Sequence, residues 1–117
     1  MAKTGNTNPD YNKGKVVILV NEPTQSRAEF HALAYSTHPK AQVLGSTTAA
    51  AEGEVSPFFL PEGIWTSFSG IGIYYPNGDD TQRVELKLYL KVSPTIEGIR
   101  AGKDEVLEKA IALIRQP

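Results

Sequence analysis

The run "KVVILV" at residues 15–20 constrains this chain more than any other feature. An uninterrupted apolar stretch rich in β-branched side chains has no polar face to offer water, so it reads as a strand covered on both sides, central in its sheet. A polar knot follows, and then Phe30, Leu33, Ala34 and Thr37 fall on one face at helical spacing between Ser26 and Thr37, with Pro39 ending the helix. A second short strand, "AQVLGS", closes at Gly45. Strand, helix and strand in so few residues predict a βαβ unit with parallel strands. The chemistry of such a unit gathers at the carboxyl ends of its strands, where the loop holding Ser26 begins.

The second half reads differently. "EVSPFFL", "GIWTSFS" and "GIGIYYP" are short, aromatic and separated by Gly and Pro, which predicts a β-meander, and Asn77-Gly78 predicts a tight turn. "RVELKLYLKV" (83–92) alternates strictly, with Val84, Leu86, Leu88, Leu90 and Val92 on one side, and predicts a half-solvated strand. After Pro94 the spacing predicts a short helical turn, a break at Gly102 and a C-terminal helix with Val106, Leu107, Ala110, Ile111 and Ile114 on one stripe. The expected architecture is α/β: a βαβ unit, a meander and a C-terminal helix in one domain spanning 1–117, with a polar segment at 1–14.

Composition removes several function classes. Twelve Lys and Arg oppose thirteen Asp and Glu for a net charge of −1, so no basic field exists to hold nucleic acid. The absence of Cys excludes disulfides, thiolate metal sites and a cysteine nucleophile. No run approaches the roughly 18 apolar residues of a membrane span, and the first 14 residues lack an apolar signal core, so a soluble chain without a membrane partner is expected.

Ser26 is the residue whose position is chemically favourable. A hydroxyl at a helix start lies beside free N–H groups at the positive end of the dipole, and the Arg27 amide is the nearest donor for an oxyanion. The competing reading is a capping box, because Ser26 followed by Glu29 spells S-x-x-E, and Thr24 is a second candidate cap. A nucleophilic serine also needs a base. His31 lies about 140° round the helix and about 7.5 Å along it, and His38 lies some 18 Å away beyond its far end. No lysine occurs between Lys40 and Lys87. "GSTTAAAEG" (45–53) lacks the Gly-Lys-Ser/Thr ending of a phosphate loop and reads as a turn. Asp79, Asp80 and Glu85 are oxygen ligands in principle, but a solvated turn tip explains the first two, and no metal or other cofactor is expected. Phe58, Phe59, Trp65 and Phe68 read as core aromatics, with a peptide groove as the alternative.

Taken together, "NPDYNKGKVVILVNE", "TQSRAEF", "VLGSTTAAAEG", "VSPFFLP", "SGIGIYYPNGDDTQRV" and "PTIEGIRAGKDEVLEKAIALI" resemble the carboxyl-terminal processing (tail-specific) serine peptidases over nearly the whole chain. The resemblance implies a partial ClpP/crotonase-like fold, Ser26 as the catalytic serine five residues after Asn21, the Arg27 amide as an oxyanion donor, a peptide or protein substrate, and a periplasmic or secreted parent. It also implies that the chain is the C-terminal portion of the catalytic domain, inactive alone. Members of the Ser–Lys type carry their lysine in the loop after the second strand, where this chain has Ala51 near the expected place. Members that use histidine draw it from the amino-terminal part of the domain, which also completes the oxyanion hole. Relatives tend to have a Gly and a Pro-Asp turn where this chain runs "ELKLYLK", which suggests a strand rewritten to satisfy an exposed sheet. The alternative function is a non-enzymatic α/β module whose sheet edge holds a peptide strand or a second copy of the chain. Either reading allows a homodimer or pairing with the missing N-terminal half.

Overall fold

A computed structural model describes residues 8–117; of the polar segment 1–14, residues 1–7 lie outside the described part. The elements are β1 (Val16–Val20), α1 (Arg27–Ser36), β2 (Ala41–Gly45), β3 (Glu54–Phe59), β4 (Trp65–Ile71), β5 (Leu90–Lys91), α2 (Ile96–Arg100) and α3 (Glu105–Arg115). β1 and β2 are parallel, from Val16 opposite Ala41 to Val20 opposite Gly45, and β5 adds parallel to β2. The order is therefore β1-β2-β5, which makes β2 the middle strand and β1 an edge among the described residues. The expectation of a central β1 is corrected. Its apolar run answers to the two faces of the sheet, whereas centrality concerns the edges, and hydropathy reports only the former.

Pleating explains how the run is used. Ile18, Val20 and Val43 join Ala32 and Leu33 of α1 together with Leu86 on one side. Val17, Leu44 and Leu90 meet Ala110 and Leu113 of α3 on the other. Successive side chains thus feed two separate cores. At the carboxyl end of β2, Gly45 has φ 135°, and a Cβ there would lie 1.7 Å from the Val20 carbonyl oxygen, so no side chain fits between the ends of β1 and β2. The Ser46 amide donates to that same oxygen at 3.2 Å and locks the strand ends together.

Both packed helices differ in face from the sequence expectation. α1 buries Glu29, Ala32 and Leu33, while Phe30 is half-buried and Ala34 and Thr37 are exposed. The helix is turned toward Glu29 because that carboxylate has partners inside. α3 buries Ala110 and Leu113, leaving Leu107, Ile111 and Ile114 partly open. Asp104 caps it by accepting from the Leu107 amide at 2.9 Å. Among the described residues no helix is long and apolar enough to cross a membrane.

The meander reduces to a hairpin. β3 and β4 pair antiparallel from Phe59 opposite Trp65 to Glu54 opposite Ile71, and "GIYYP" contributes only an isolated bridge between Tyr74 and Asp80. The Asn77-Gly78 turn forms as expected, with Gly78 at φ 93° and its amide donating to Tyr75 O at 2.8 Å.

The largest departure is at 83–92. Leu86 is buried and Glu85, Lys87 and Tyr89 are exposed, so the alternation is real, yet only Leu90–Lys91 form a ladder. Arg83 sits at φ 62° and the Val84 amide turns back to Thr81 O at 3.2 Å, which breaks the extended path at its start. Side chains reach the core from an irregular backbone. The idea of a strand rewritten for an exposed sheet required a regular ladder here and fails.

Candidate active site

β1 ends at Val20, and residues 21–25 turn the chain toward α1. The Asn21 amide donates to Thr24 Oγ1 at 3.0 Å, Thr24 Oγ1 donates to Asn21 Oδ1 at 3.0 Å, and the Thr24 amide donates to Asn21 O at 2.9 Å. Thr24 is thus committed to closing this turn and does not cap the helix. Ser26 follows at φ 52°, ψ −118°, a backbone conformation that favours glycine. Its side chain is half-buried, and Ser26 and Glu29 form the capping box that S-x-x-E spells, its clear bond being the one the Ser26 amide donates to the Glu29 carboxylate. Among the described residues no acceptor takes the Arg27 amide, the position implied for the oxyanion donor, whereas the next amides donate to Gln25 O (Ala28, 3.1 Å) and Ser26 O (Phe30, 3.0 Å).

Glu29 holds this corner. It is 1% exposed, and its carboxylate accepts from the Ser26 amide at 3.0 Å, Thr48 Oγ1 at 2.6 Å, the Ala50 amide at 2.9 Å and the Ala51 amide at 3.0 Å. The S-x-x-E spacing had suggested only a local reach back to Ser26. The structure adds the loop 46–53, folded over the carboxylate by a further bond from the Ala49 amide to Thr24 O at 3.0 Å. Ionised acceptors bind donors roughly twice as strongly as neutral ones, which suits this site to holding a strained backbone. Among the described residues, three of the four non-glycine residues with positive φ, Ser26, Ala50 and Arg83, belong to this network, the last through its amide to Ala50 O at 2.8 Å. Arg27 also reaches Glu54 at 2.9 Å, but with side chains 70% and 48% exposed the pair orients the base of β3 more than it stabilises the fold.

Glu52 was not singled out by sequence. It is 2% exposed, and both carboxyl oxygens are buried without a partner among the described residues. The buried Thr81 hydroxyl donates instead to Ile73 O at 2.6 Å. Burial holds the Glu52 carboxyl above its ordinary range; Thr81 opposes this and the nearby Glu29 charge adds to it. No local pattern marks such a residue, because an isolated Glu in a polar loop normally faces water.

A cleft of about 330 Å³ opens at the carboxyl ends of the parallel strands, lined by Asn21, Glu22, Ser46, Val92 and Asp104. Ser26 is not among its walls. Glu22 is held below the usual carboxylate range by its own backbone amide and the Ser46 hydroxyl. Neither histidine hydrogen-bonds Ser26 among the described residues. His31 lies between Phe30 and Tyr35, at 6.1 and 6.4 Å between ring centres. His38 bonds Asn12 O through Nε2 at 2.6 Å and accepts the Lys40 amide at Nδ1 at 3.1 Å, which fixes the Nε2–H tautomer. Asp79 is held below the usual range by Asn77 and Lys87 at the turn tip. Among the described residues no cluster of three or more His, Cys, Asp or Glu could hold a metal. Phe58, Phe59, Trp65 and Phe68, expected in the core, are 40%, 72%, 62% and 57% exposed, because β3 and β4 pack chiefly on each other and not on α1 or α3.

Comparison with known proteins bears on the family and the fold. The profile of Peptidase family S41 matches residues 1–97. A protein from Parabacteroides merdae ATCC 43184, described as a candidate peptidase, shares 25% identity with a TM-score of 0.74, covering 87% of this chain and 32% of that one. Mature CPAF complexed with lactacystin superposes at a TM-score of 0.73 with 23% identity, over 92% of this chain and 22% of CPAF. The tricorn protease superposes at 0.73 with 16% identity, over 97% of this chain and 12% of that one. The chain therefore spans a third or less of the length of these structures, and a search of curated proteins finds no match. The α/β fold with its parallel sheet and antiparallel hairpin is that of their peptidase domains, and the chain belongs to peptidase family S41.

Proposed function

We propose that this chain is the nucleophile-bearing C-terminal portion of a serine-type peptidase domain, with Ser26 attacking the peptide carbonyl. The observation that carries the reading is the backbone of Ser26 at φ 52°, ψ −118° on a strand-to-helix turn. Glycine would occupy that position without strain, while a serine there costs on the order of 1–3 kcal/mol. Strain kept at a serine next to an amide that has no acceptor among the described residues suits nucleophilic chemistry. Strained serines between a strand and a helix expose the nucleophile in α/β-hydrolases too, although their G-x-S-x-G motif is absent here.

In this reading Ser26 Oγ adds to the carbonyl carbon, the oxyanion accepts from the free Arg27 amide and a second donor, and a base takes the serine proton and passes it to the leaving amine. Water then hydrolyses the acyl-enzyme. In this reading His31 is an exposed residue beside Phe30 and Tyr35, His38 is hydrogen-bonded to Asn12 O and the Lys40 amide, and residue 51 is alanine, so the base is supplied from outside this chain and the chain alone hydrolyses little. The substrate is a peptide or protein, and preference for a carboxyl-terminal tail is the finer part of the proposal, supported by the sequence resemblance.

The test is cleavage of an unstructured polypeptide by this chain supplied in trans with the remainder of a family S41 catalytic domain. Cleavage abolished by Ser26→Ala supports the assignment, and cleavage equal to wild type in Ser26→Ala overturns it.

A further inference from the structure

Among the described residues, the two carboxyl oxygens of Glu52 are the only buried side-chain oxygens or nitrogens without a hydrogen-bond partner. A carboxylate that leaves water in its charged form needs several donors, and the adjoining Glu29 accepts from four. Glu52 accepts from none. Enclosing it as an anion is therefore far costlier than enclosing it as a neutral acid. The oxygens are shut in by this chain's own residues, so whatever a longer protein adds on the outside leaves the deficit in place.

No cation relieves it. α1 brings Glu29, a like charge. The segment 81–85 brings the buried Thr81, whose hydroxyl donates to Ile73 O at 2.6 Å, and then the exposed Gln82, Arg83 and Glu85, the last bonded to Thr47 at 3.4 Å. β3 brings Glu54, exposed and paired with Arg27, and β4 approaches the adjacent Gly53 through Ser69 and Ile71, neither of them titratable. Burial, with the Glu29 charge added and Thr81 opposing, keeps the Glu52 carboxyl protonated above the ordinary carboxylate range. The enclosing loop is itself strained. Ala50 and Ala51, directly before Glu52, are the residues whose amides hold Glu29, and Ala50 does so at φ 53°, a conformation unfavourable to any residue with a Cβ.

We infer that the proton on Glu52 is the latch of the loop 46–53: with it the loop lies closed over Glu29 beside Ser26, and without it the loop lifts to carry the carboxylate to water. Lifting takes the Ala50 and Ala51 amides off Glu29 and releases the strain at Ala50. Glu29 then keeps only Thr48 and the Ser26 amide. The change is a local opening that leaves the β1–β2 ladder intact, and its direction is fixed by the sign of the charge: closed in acid, open as pH rises through the Glu52 titration. It is independent of the catalytic reading.

Carbon-13 NMR of the Glu52 carboxyl, traced from its own backbone resonances, and amide exchange at Ala50 and Ala51 test this between about pH 5 and 9. Exchange is expressed as protection factors, which divide out the intrinsic effect of pH. The wild type should show a Glu52 titration step in this range, and protection of both amides should fall with it by about tenfold or more, while Glu52→Gln, neutral throughout, keeps its protection within about twofold. The Val43 and Leu44 amides of β2 should stay protected in both proteins, which separates opening of the loop from loss of the fold. The absence of a Glu52 titration step in this range overturns the proposal without recourse to any variant. Wild-type protection that does not follow the step, or that falls equally in Glu52→Gln, overturns it as well.

Discussion

The amides of Ser26 and Ala51 donate to the same oxygen of Glu29, each at 3.0 Å, so the strained turn and the loop after β2 are separated by one carboxylate atom. A residue at the start of α1 and one in a polar loop 25 positions later are thereby held as a single corner.

The strain at Ser26 predicts a trade between stability and chemistry. Ser26→Gly should stabilise the fold by about 1 kcal/mol, as relief of the positive φ outweighs the added freedom of the unfolded chain. Ser26→Ala, which keeps the Cβ and the strain, should not. Urea midpoints at unchanged slope measure both, and both variants should lack nucleophilic reactivity. Equal stability for glycine and serine would mean the backbone there is unstrained.

Glu29→Gln tests the corner itself. All four partners of the carboxylate are donors, so an amide NH₂ necessarily faces donors on one side. The expected loss is about 3 kcal/mol, the range for breaking a buried charged network, with faster hydrogen exchange at Ala50 and Ala51. Exchange unchanged at these two amides would show that the loop is held by other means.

How much of this was legible in the sequence follows from what periodicity encodes. The βαβ unit was readable because β1, α1 and β2 each bury a regular set of side chains. The helix–break–helix tail was readable because Pro94 and Gly102 punctuate it. The segment 83–92 misled because alternation reports which side chains go inward and not whether the backbone finds a ladder. Glu29 was legible only as half a cap, since its other partners come from residues 48–51. Glu52 carried no signal at all, and the hairpin aromatics looked like core because composition cannot say which elements will meet.

Stability should depend on pH through Glu52. Its folded pKa is raised above the ordinary 4.5 by burial, so the folded protein holds the proton more tightly than the unfolded chain. The resulting stabilisation is fully present below that value and is lost as pH rises through the folded pKa. Wild type should therefore lose stability above about pH 4.5 relative to Glu52→Gln, which stays neutral throughout. Thermal midpoints of both proteins between about pH 4 and 8 decide the matter, and parallel curves would exclude Glu52 as the source.

By the sequence resemblance, Ala51 lies near the place where Ser–Lys relatives carry the base. Its exposed side chain, on a residue tied to Ser26 through Glu29, leaves room for an ammonium. Ala51→Lys should raise the rate of fluorophosphonate labelling of the isolated chain by tenfold or more, since a positioned general base is worth roughly 10²–10⁴. No change in rate would place position 51 out of reach of the hydroxyl.

The central claim is that Ser26 is the nucleophile, and peptide mapping tests it most directly. Trypsin releases residues 16–27 as a peptide whose single serine is Ser26. After fluorophosphonate treatment of the chain supplied in trans with the remainder of a family S41 catalytic domain, the account predicts a stoichiometric adduct on that peptide, absent in Ser26→Ala. An adduct that maps to other serines of this chain, or one that persists on the 16–27 peptide in Ser26→Ala, would contradict it.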